Sequence, residues 1–206
     1  MSHDAIDWDQ RYITKETPWD SGVPSQELQR VLREWPIKPC RTLELGCGTG
    51  TNAVYLAGQG FDVTAVELSA VAVEQAKARA AQAGVSVRFL HADLLRLPDL
   101  GPPFPFVFDR GVYHHLRTVD LDGFRRVLAR VSPPGGLYLT LAGNANEREL
   151  KDGPPRVHAH ELCLELAPLF DLVQLREFRF DGVVIGGQPV RPLAWSALWR
   201  RKETSA

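Results

Sequence analysis

An α/β fold built on a mostly parallel sheet is what this sequence predicts, and three observations predict it. Short apolar runs alternate with helical patterns through the middle of the chain, one strand-like run stops in a cluster of glycines, and the C-terminal part switches to two long strand-like runs. Alternation of this kind buries strands under helices on both faces of a sheet. Seven strands are expected, with an antiparallel strand at the C-terminal end. One domain over residues 1–206 is expected, in which 1–36 form an N-terminal helical arm or lid and 37–206 the core.

Each element has its own signal. Residues 25–35 repeat apolar Leu28, Val31, Leu32 and Trp35 at helical spacing, with Ser25 as N-cap and Pro36 as stop. The segment before it, WDQRYITKETPWDSGVP, is polar and loop-like apart from two tryptophans and a tyrosine; it reads equally as an anchored arm or as a lid over a site. A strand at 41–45 (RTLEL) leads to a helix at 50–58, a strand at 62–67 and an alanine-rich helix at 70–83 closed by Gly84. Strands at 85–90 and 105–109, a helix at 119–131 and a strand at 137–142 continue the alternation. After a helix at about 158–168, strands at 171–180 and 193–200 read as an antiparallel pair added to the sheet edge, separated by the loop DGVVIGGQPVRP.

Bulk properties narrow the function. A chain of 206 residues with 44% hydrophobic content can bury one sizeable core. With 24 basic and 25 acidic residues the net charge is -1, which argues against a nucleic-acid partner. No apolar run approaches the roughly 20 residues of a membrane span, and the acidic, aromatic start is unlike a signal peptide, so a cytoplasmic protein is expected. Cys40, Cys47 and Cys163 show no metal-type spacing and read as small buried hydrophobes.

The chemistry concentrates at the expected carboxyl ends of the strands, where open α/β sheets bind ligands near the switch point, here between the first and fourth strands. In LELGCGTG, residues 43–50, a strand carrying Glu44 runs into Gly46, Gly48 and Gly50 and then into a helix. Glycines let a ligand lie against the backbone. Their alternate spacing lacks the G-x-G-x-x-G interval of a pyrophosphate site and suits a ligand with a charged amino-acid tail better. Glu67 ends the second strand, where a carboxylate accepts from both hydroxyls of a ribose; the plainer role is a solvated strand-end acid. Asp93 follows the third strand, either facing an adenine amine or capping a short turn. In FDRGVYHHL the fourth strand brings Asp109, Tyr113, His114 and His115 to the same edge.

These residues resemble the class I S-adenosylmethionine-dependent methyltransferases, a Rossmann-like family, over roughly residues 40–142. The resemblance implies S-adenosylmethionine as cofactor, Gly46 and Gly48 packed on its methionine portion, Glu67 on the ribose and Asp93 by the adenine. Glu44, Cys47, Leu68, Leu94 and Asp109 complete the expected cofactor set. SPPGGLYLTL at 132–141 is similar to the loop and fifth strand that close the family's core. WDQRY, TPWDSGVPSQEL and PLAWSALWRR look like the small-molecule branch that acts on thiopurines, thiols and tellurite. In that branch the arm folds over the cofactor, which places Tyr12, Trp19 and Asp20 at the site; the chain lacks the insertions usual in the thiopurine enzymes.

A sulfonium methyl is already activated, so transfer needs orientation and exclusion of water more than a base. A thiol or selenol acceptor needs only an apolar pocket, for which Trp8, Trp19, Phe106 and Tyr113 are candidates. An oxygen or nitrogen acceptor would draw on His114 or His115 as base, although adjacent histidines diverge and packing roles compete. Catalytic candidates are therefore His114, Tyr113 and His115. No metal is expected, since Asp109 with Asn144 or Asn146 is too thin a ligand set and His158 with His160 reads as a helix start. Arg156 and Arg191 lie in loops able to border a pocket. The partner is a small-molecule substrate of a monomer or homodimer. The competing readings are a cofactor-binding protein without catalysis and an NAD-dependent oxidoreductase.

Overall fold

The computed structural model describes residues 6–150 and 153–203. Residues 1–5 of the expected arm lie outside that range. The chain runs α1 (Trp8–Thr14), α2 (Gln26–Glu34), β1 (Arg41–Leu45), α3 (Thr51–Gly58), β2 (Asp62–Glu67), α4 (Ala70–Ala83), β3 (Arg88–His91), a 3-10 turn (Leu94–Arg96), β4 (Phe106–Arg110), α5 (Tyr113–Val131), β5 (Leu137–Gly143), α6 (Ala159–Leu166), β6 (Phe170–Arg179), β7 (Val183–Ile185), β8 (Gln188–Val190) and β9 (Leu193–Arg201).

Seven strands form one sheet in the order β3-β2-β1-β4-β5-β9-β6, and β7–β8 make a separate hairpin. β3, β2, β1, β4 and β5 pair in parallel. β9 is antiparallel to both β5 and β6, so it is the reversed strand of the expected architecture. It lies between β5 and β6, so that β6 and β9 form the antiparallel pair expected at the sheet edge. β1 has β2 on one side and β4 on the other, which puts the switch point where the sequence placed it.

Alternation along the strands sends side chains to two cores. On one face Leu43, Leu45, Val107 and Tyr138 pack with Phe124 and Leu128 of α5 and Leu162 of α6. On the other, Phe106, Phe108, Val63 and Leu139 pack with Leu28 and Val31 of α2 and Leu56 of α3. Each fully buried leucine here is worth about 2–5 kcal/mol against alanine. At β4 the same alternation turns Asp109 toward α5 and the next residue, Arg110, toward the α2–α3 side, which decides the roles of both.

Several elements depart from the sequence reading, each for a local reason. The segment read as loop before α2 contains α1, begun by Asp7, whose Oδ1 accepts from Gln10 N, and ended by Lys15 in the left-handed conformation. The third strand is Arg88–His91 rather than 85–90. The helix expected at 119–131 starts at Tyr113 instead: Oδ1 of Asp109 accepts from the backbone N–H groups of Val112 and Tyr113 and so supplies the cap. It breaks at Asp120 (φ -155°, ψ 85°), which caps a second segment through Gly123 N. The loop DGVVIGGQPVRP folds into the β7–β8 hairpin, with Gly186 and Gly187 as its two-residue turn, both at positive φ.

Candidate active site at the carboxyl edge of the sheet

The glycine loop leaves β1 with Gly46, Gly48 and Gly50 all at positive φ. Their open sides are filled by this chain. A Cβ on Gly46 would meet the Val112 side chain at 2.3 Å, one on Gly48 the Tyr12 hydroxyl at 2.9 Å, and one on Gly50 the Cβ of Ala76 on α4 at 2.7 Å. Beside the expected ligand approach, Gly50 is required for α3 and α4 to pack. Tyr12, by contrast, sits on the arm.

Glu67 ends β2 beside this loop. Its Oε2 accepts from Gly48 N (2.9 Å), and its Oε1 accepts from Leu68 N (2.7 Å) and Ser69 N (2.9 Å). A carboxylate has about four lone-pair sites, so three are used and one remains on Oε2. That arrangement leaves room for one ribose hydroxyl in place of the expected two. Leu68 next to it is an exposed leucine, an apolar surface at the same strand end, and its carbonyl lies 3.0 Å from His91 Nε2. Asp93 caps the 3-10 turn through Leu95 N (2.9 Å) and stays partly exposed, with Leu94 buried behind it. Glu67 and Asp93 thus stand at the carboxyl ends of two adjacent strands.

Glu44 is buried on β1. Asn52 Nδ2 donates weakly to its Oε1 (3.5 Å), whereas Oε2 has no partner. Burial, followed by the nearby Glu67 and Asp109 charges, pushes its pKa up to about 8. Cys47 is buried, and burial with the Glu44 and Glu67 charges holds its thiol well above the usual range. It is a packing residue, while Cys40 and Cys163 are only half-buried.

The arm crosses the loop. Asp9 Oδ1 accepts from Ser69 Oγ (2.5 Å) and Val71 N (3.2 Å), docking α1 on the start of α4. Asp20 Oδ1 accepts from Thr49 Oγ1 (3.0 Å), and Trp19 Nε1 donates to Tyr12 Oη (3.5 Å). Trp8 meets Trp19 edge-on at 5.8 Å and His115 at 5.6 Å, so the arm and α5 bring three rings together. Tyr12, Trp19 and Asp20 therefore stand over the glycine loop.

The other edge candidates fall on two sides. Asp109 is fully buried, its Oδ2 accepting from Tyr138 Oη (2.6 Å) in addition to the helix cap. It faces the α5 core and cannot touch a ligand. Tyr113 is likewise buried and donates to Glu165 Oε2 (2.6 Å), a carboxylate that also pairs with Arg117. It belongs to the α5–α6 contact, and its expected catalytic role is corrected. Phe106 lies at the opposite end of β4 against Phe61, away from any pocket on this edge. His114 is buried, and its Nδ1 accepts from Gly143 N (2.7 Å). Burial is the main cause that pushes its pKa down to about 3, with the His115 and Arg110 charges adding. His115 is half-buried, and burial lowers its pKa.

Among the described residues no cluster of three or more His, Cys, Asp or Glu side chains could hold a metal. His158 begins α6, donating from its backbone N–H to Glu161 Oε2 (2.9 Å), and its ring stacks on His160. Arg156 lies against Gly143 beside His114, whereas Arg191 is exposed and offers its carbonyl to Arg179. No helix among the described residues is long and apolar enough to cross a membrane. The residue that sequence reasoning passed over is Arg110, visible only as the R of FDRG until the strand direction was known.

A parallel sheet with this switch point, an acid at the end of β2, another past β3 and a glycine loop after β1 defines a class of nucleoside-cofactor-binding α/β proteins. Comparison with known proteins makes that class specific. Residues 42–136 match the methyltransferase domain family. The chain is 26% identical over 125 residues to the 2-heptyl-1-hydroxyquinolin-4(1H)-one methyltransferase of Mycobacteroides abscessus, covering 60% of this chain and 55% of that protein. It is 31% identical over 133 residues to the ubiquinone biosynthesis O-methyltransferase of Sinorhizobium fredii, covering 65% and 52%. The chain thus spans about half the length of the curated relatives it matches. A solved structure described as the conversion of a disulfide bond into a thioacetal group during echinomycin biosynthesis superposes with a TM-score of 0.80 and 27% identity over 91% of this chain and 87% of that one. Over these spans the chain is similar to methyltransferases. S-adenosylmethionine is the cofactor that the resemblance implies, and the free lone pair on Glu67, the partnerless oxygen of Glu44 and the exposed Leu68 fit that ligand.

Proposed function

We propose that this protein transfers the methyl group of S-adenosylmethionine to a small-molecule thiol or selenol. The observation that carries the acceptor preference is the bond from Gly143 N–H to His114 Nδ1. With Nδ1 occupied as an acceptor, a neutral His114 carries its proton on Nε2 and has no lone pair for an acceptor's proton. A thiol ionises appreciably near neutral pH without a base, whereas an alcohol or most phenols do not.

The cofactor, when bound, supplies a methyl group activated on a sulfonium. Glu67 and Asp93 hold the adenosine, Glu44 supports the loop that faces the methionine, and Tyr12, Trp8 and Trp19 close over it and exclude water. The acceptor thiolate, its own proton having gone to solvent, would take the methyl in line, its new S–CH3 bond forming as the sulfonium–CH3 bond breaks and S-adenosylhomocysteine leaves. Tyr12 must move off Gly48 for the methionine to lie against that glycine, so the arm opens for cofactor exchange. The thioacetal chemistry named for the similar solved structure is sulfur chemistry, which supports the reading.

The names of the curated relatives favour a second reading, an oxygen acceptor, with the half-exposed His115 beside Trp8 as the available imidazole. Incubation with labelled cofactor and matched thiols, phenols and hydroxyquinolines separates them. Methylated thiol, with a pH–rate profile that follows the thiol's own ionisation and is unchanged in His115→Gln, is expected. Turnover of phenols alone, lost in His115→Gln, would replace the proposal by the second reading, and product from none would leave a silent binder.

A further inference from the structure

Arg110 ends β4 on the face opposite Asp109, at the edge where the arm crosses. Its Nη1 donates to the carbonyl of Trp19 and its Nη2 to the carbonyl of Asp181, both at 3.0 Å, and its guanidinium lies 4.8 Å over the ring of Phe180. Neither hydrogen bond goes to a carboxylate. The two carbonyls instead belong to segments from opposite ends of the chain, the N-terminal arm and the root of the β7–β8 hairpin. A planar guanidinium presents donors in a rigid fork that spans two acceptors, which a single ammonium cannot do.

The arm and hairpin also touch directly. Val184 N donates to Pro18 O (2.9 Å), and Gln26 N donates to Asp181 Oδ2 (2.9 Å). A Cβ on Gly182 would stand 2.1 Å from the Cβ of Ser21, so the two backbones meet with no room for a side chain. Between them lies a groove of about 490 Å³ lined by Arg11, Lys15, Pro18, Asp20, Val184 and Ile185. One residue beyond Trp19, Asp20 grips Thr49 in the glycine loop, whose carbonyl in turn accepts from Arg79 Nε. A continuous set of contacts therefore runs from the hairpin through Arg110 and the arm to the cofactor loop.

We infer that Arg110 is a positioning residue that couples the N-terminal arm to the β7–β8 hairpin, so that the two close over the methyl-transfer site as one cover. The coupling deepens the proposed function and rests on its reading of the arm as the wall of that site. The hairpin is otherwise a two-stranded element with no sheet of its own, marginal in water by itself. Tied to the arm, it makes closure on one side of the groove depend on the other.

Amide hydrogen exchange on the full chain, without cofactor or acceptor, tests the coupling separately from the activity. In Arg110→Met, exchange is expected to rise about tenfold in both 15–22 and 180–191, the order expected for losing one charge-assisted hydrogen bond from each. The β1–β5 sheet should stay protected. A rise in one segment alone, in neither, or uniformly through the sheet overturns the inference. Arg110→Lys should restore one segment only, and recovery of both would show that charge, not the bridging fork, matters. Val184→Pro removes the hairpin's donor to Pro18 and leaves Arg110 in place; faster exchange in the arm is expected, and an unchanged arm overturns the coupling. Because no ligand is present, loss of the coupling would leave the methyl-transfer reading standing, and the reverse holds too.

Discussion

A carboxylate on this sheet edge does what its acceptor count and burial allow. Glu67 spends three lone pairs on the backbone of Gly48, Leu68 and Ser69, so it shapes the cofactor loop and leaves one site for the ligand. Glu67→Ala should weaken S-adenosylhomocysteine binding by roughly 1.5–3 kcal/mol, read by titration calorimetry, and should also lower the melting temperature, because the loop loses its anchor. Glu44 behaves differently. Its folded pKa, raised by burial to about 8, exceeds its unfolded value near 4.5, so the folded state holds a proton that the unfolded state releases. The stability tied to that proton is fully present below about pH 4.5 and is lost as pH rises through 8. Thermal melts between pH 5 and 8.5 should show this decline in the wild type and a flatter profile in Glu44→Gln. A melting temperature that rises over that range in both proteins would refute the assignment. Histidine 114 titrates the other way: with its pKa near 3 it is neutral in the fold, and the stability this brings is lost as pH falls below about 6.5.

At the scale of elements, the arm gains its place from a few polar contacts to other parts of the chain rather than from a large apolar face. Asp9 to Ser69 and Val71, Asp20 to Thr49, and the buried Tyr12 are its main anchors. Removal of residues 1–20 should therefore abolish turnover while costing the sheet little, since its two cores lie on β-strands and helices that remain. Turnover assays alongside chemical denaturation decide this; a truncated protein with full activity would mean that the arm is packing only. Asp9→Ala is the milder test, expected to loosen α1 and raise the KM for cofactor several-fold with less effect on kcat. The elements the sequence did not show, α1, the first two turns of α5 and the β7–β8 hairpin, share one trait. Each is short and is held by capping or by contacts far away in sequence: Asp7 for α1, Asp109 for α5, and Pro18 with Arg110 for the hairpin.

For the whole molecule, cofactor binding and folding are linked, because a ligand that binds only the native state stabilises it. S-adenosylhomocysteine at about a hundredfold over its Kd should add roughly 2.7 kcal/mol. In a chain of this size that raises the melting temperature by roughly 5–10 °C. NAD at the same concentration should give no shift, and the opposite pattern would return the chain to the dinucleotide-binding class. The sequence by itself determined the layered α/β fold, the strand order around the switch point, and the edge where Gly46–Gly50, Glu67 and Asp93 stand. Those depend on periodicity, glycine spacing and position along a strand, which are local properties of the chain. Only the tertiary structure decided that Asp109 and Tyr113 turn into the core, that His114 has its Nδ1 filled by Gly143, and that Arg110 faces the arm. The physical reason is that neighbouring residues of a strand point to opposite faces, and that the hydrogen-bond partners deciding a polar side chain's role arrive from segments tens of residues away.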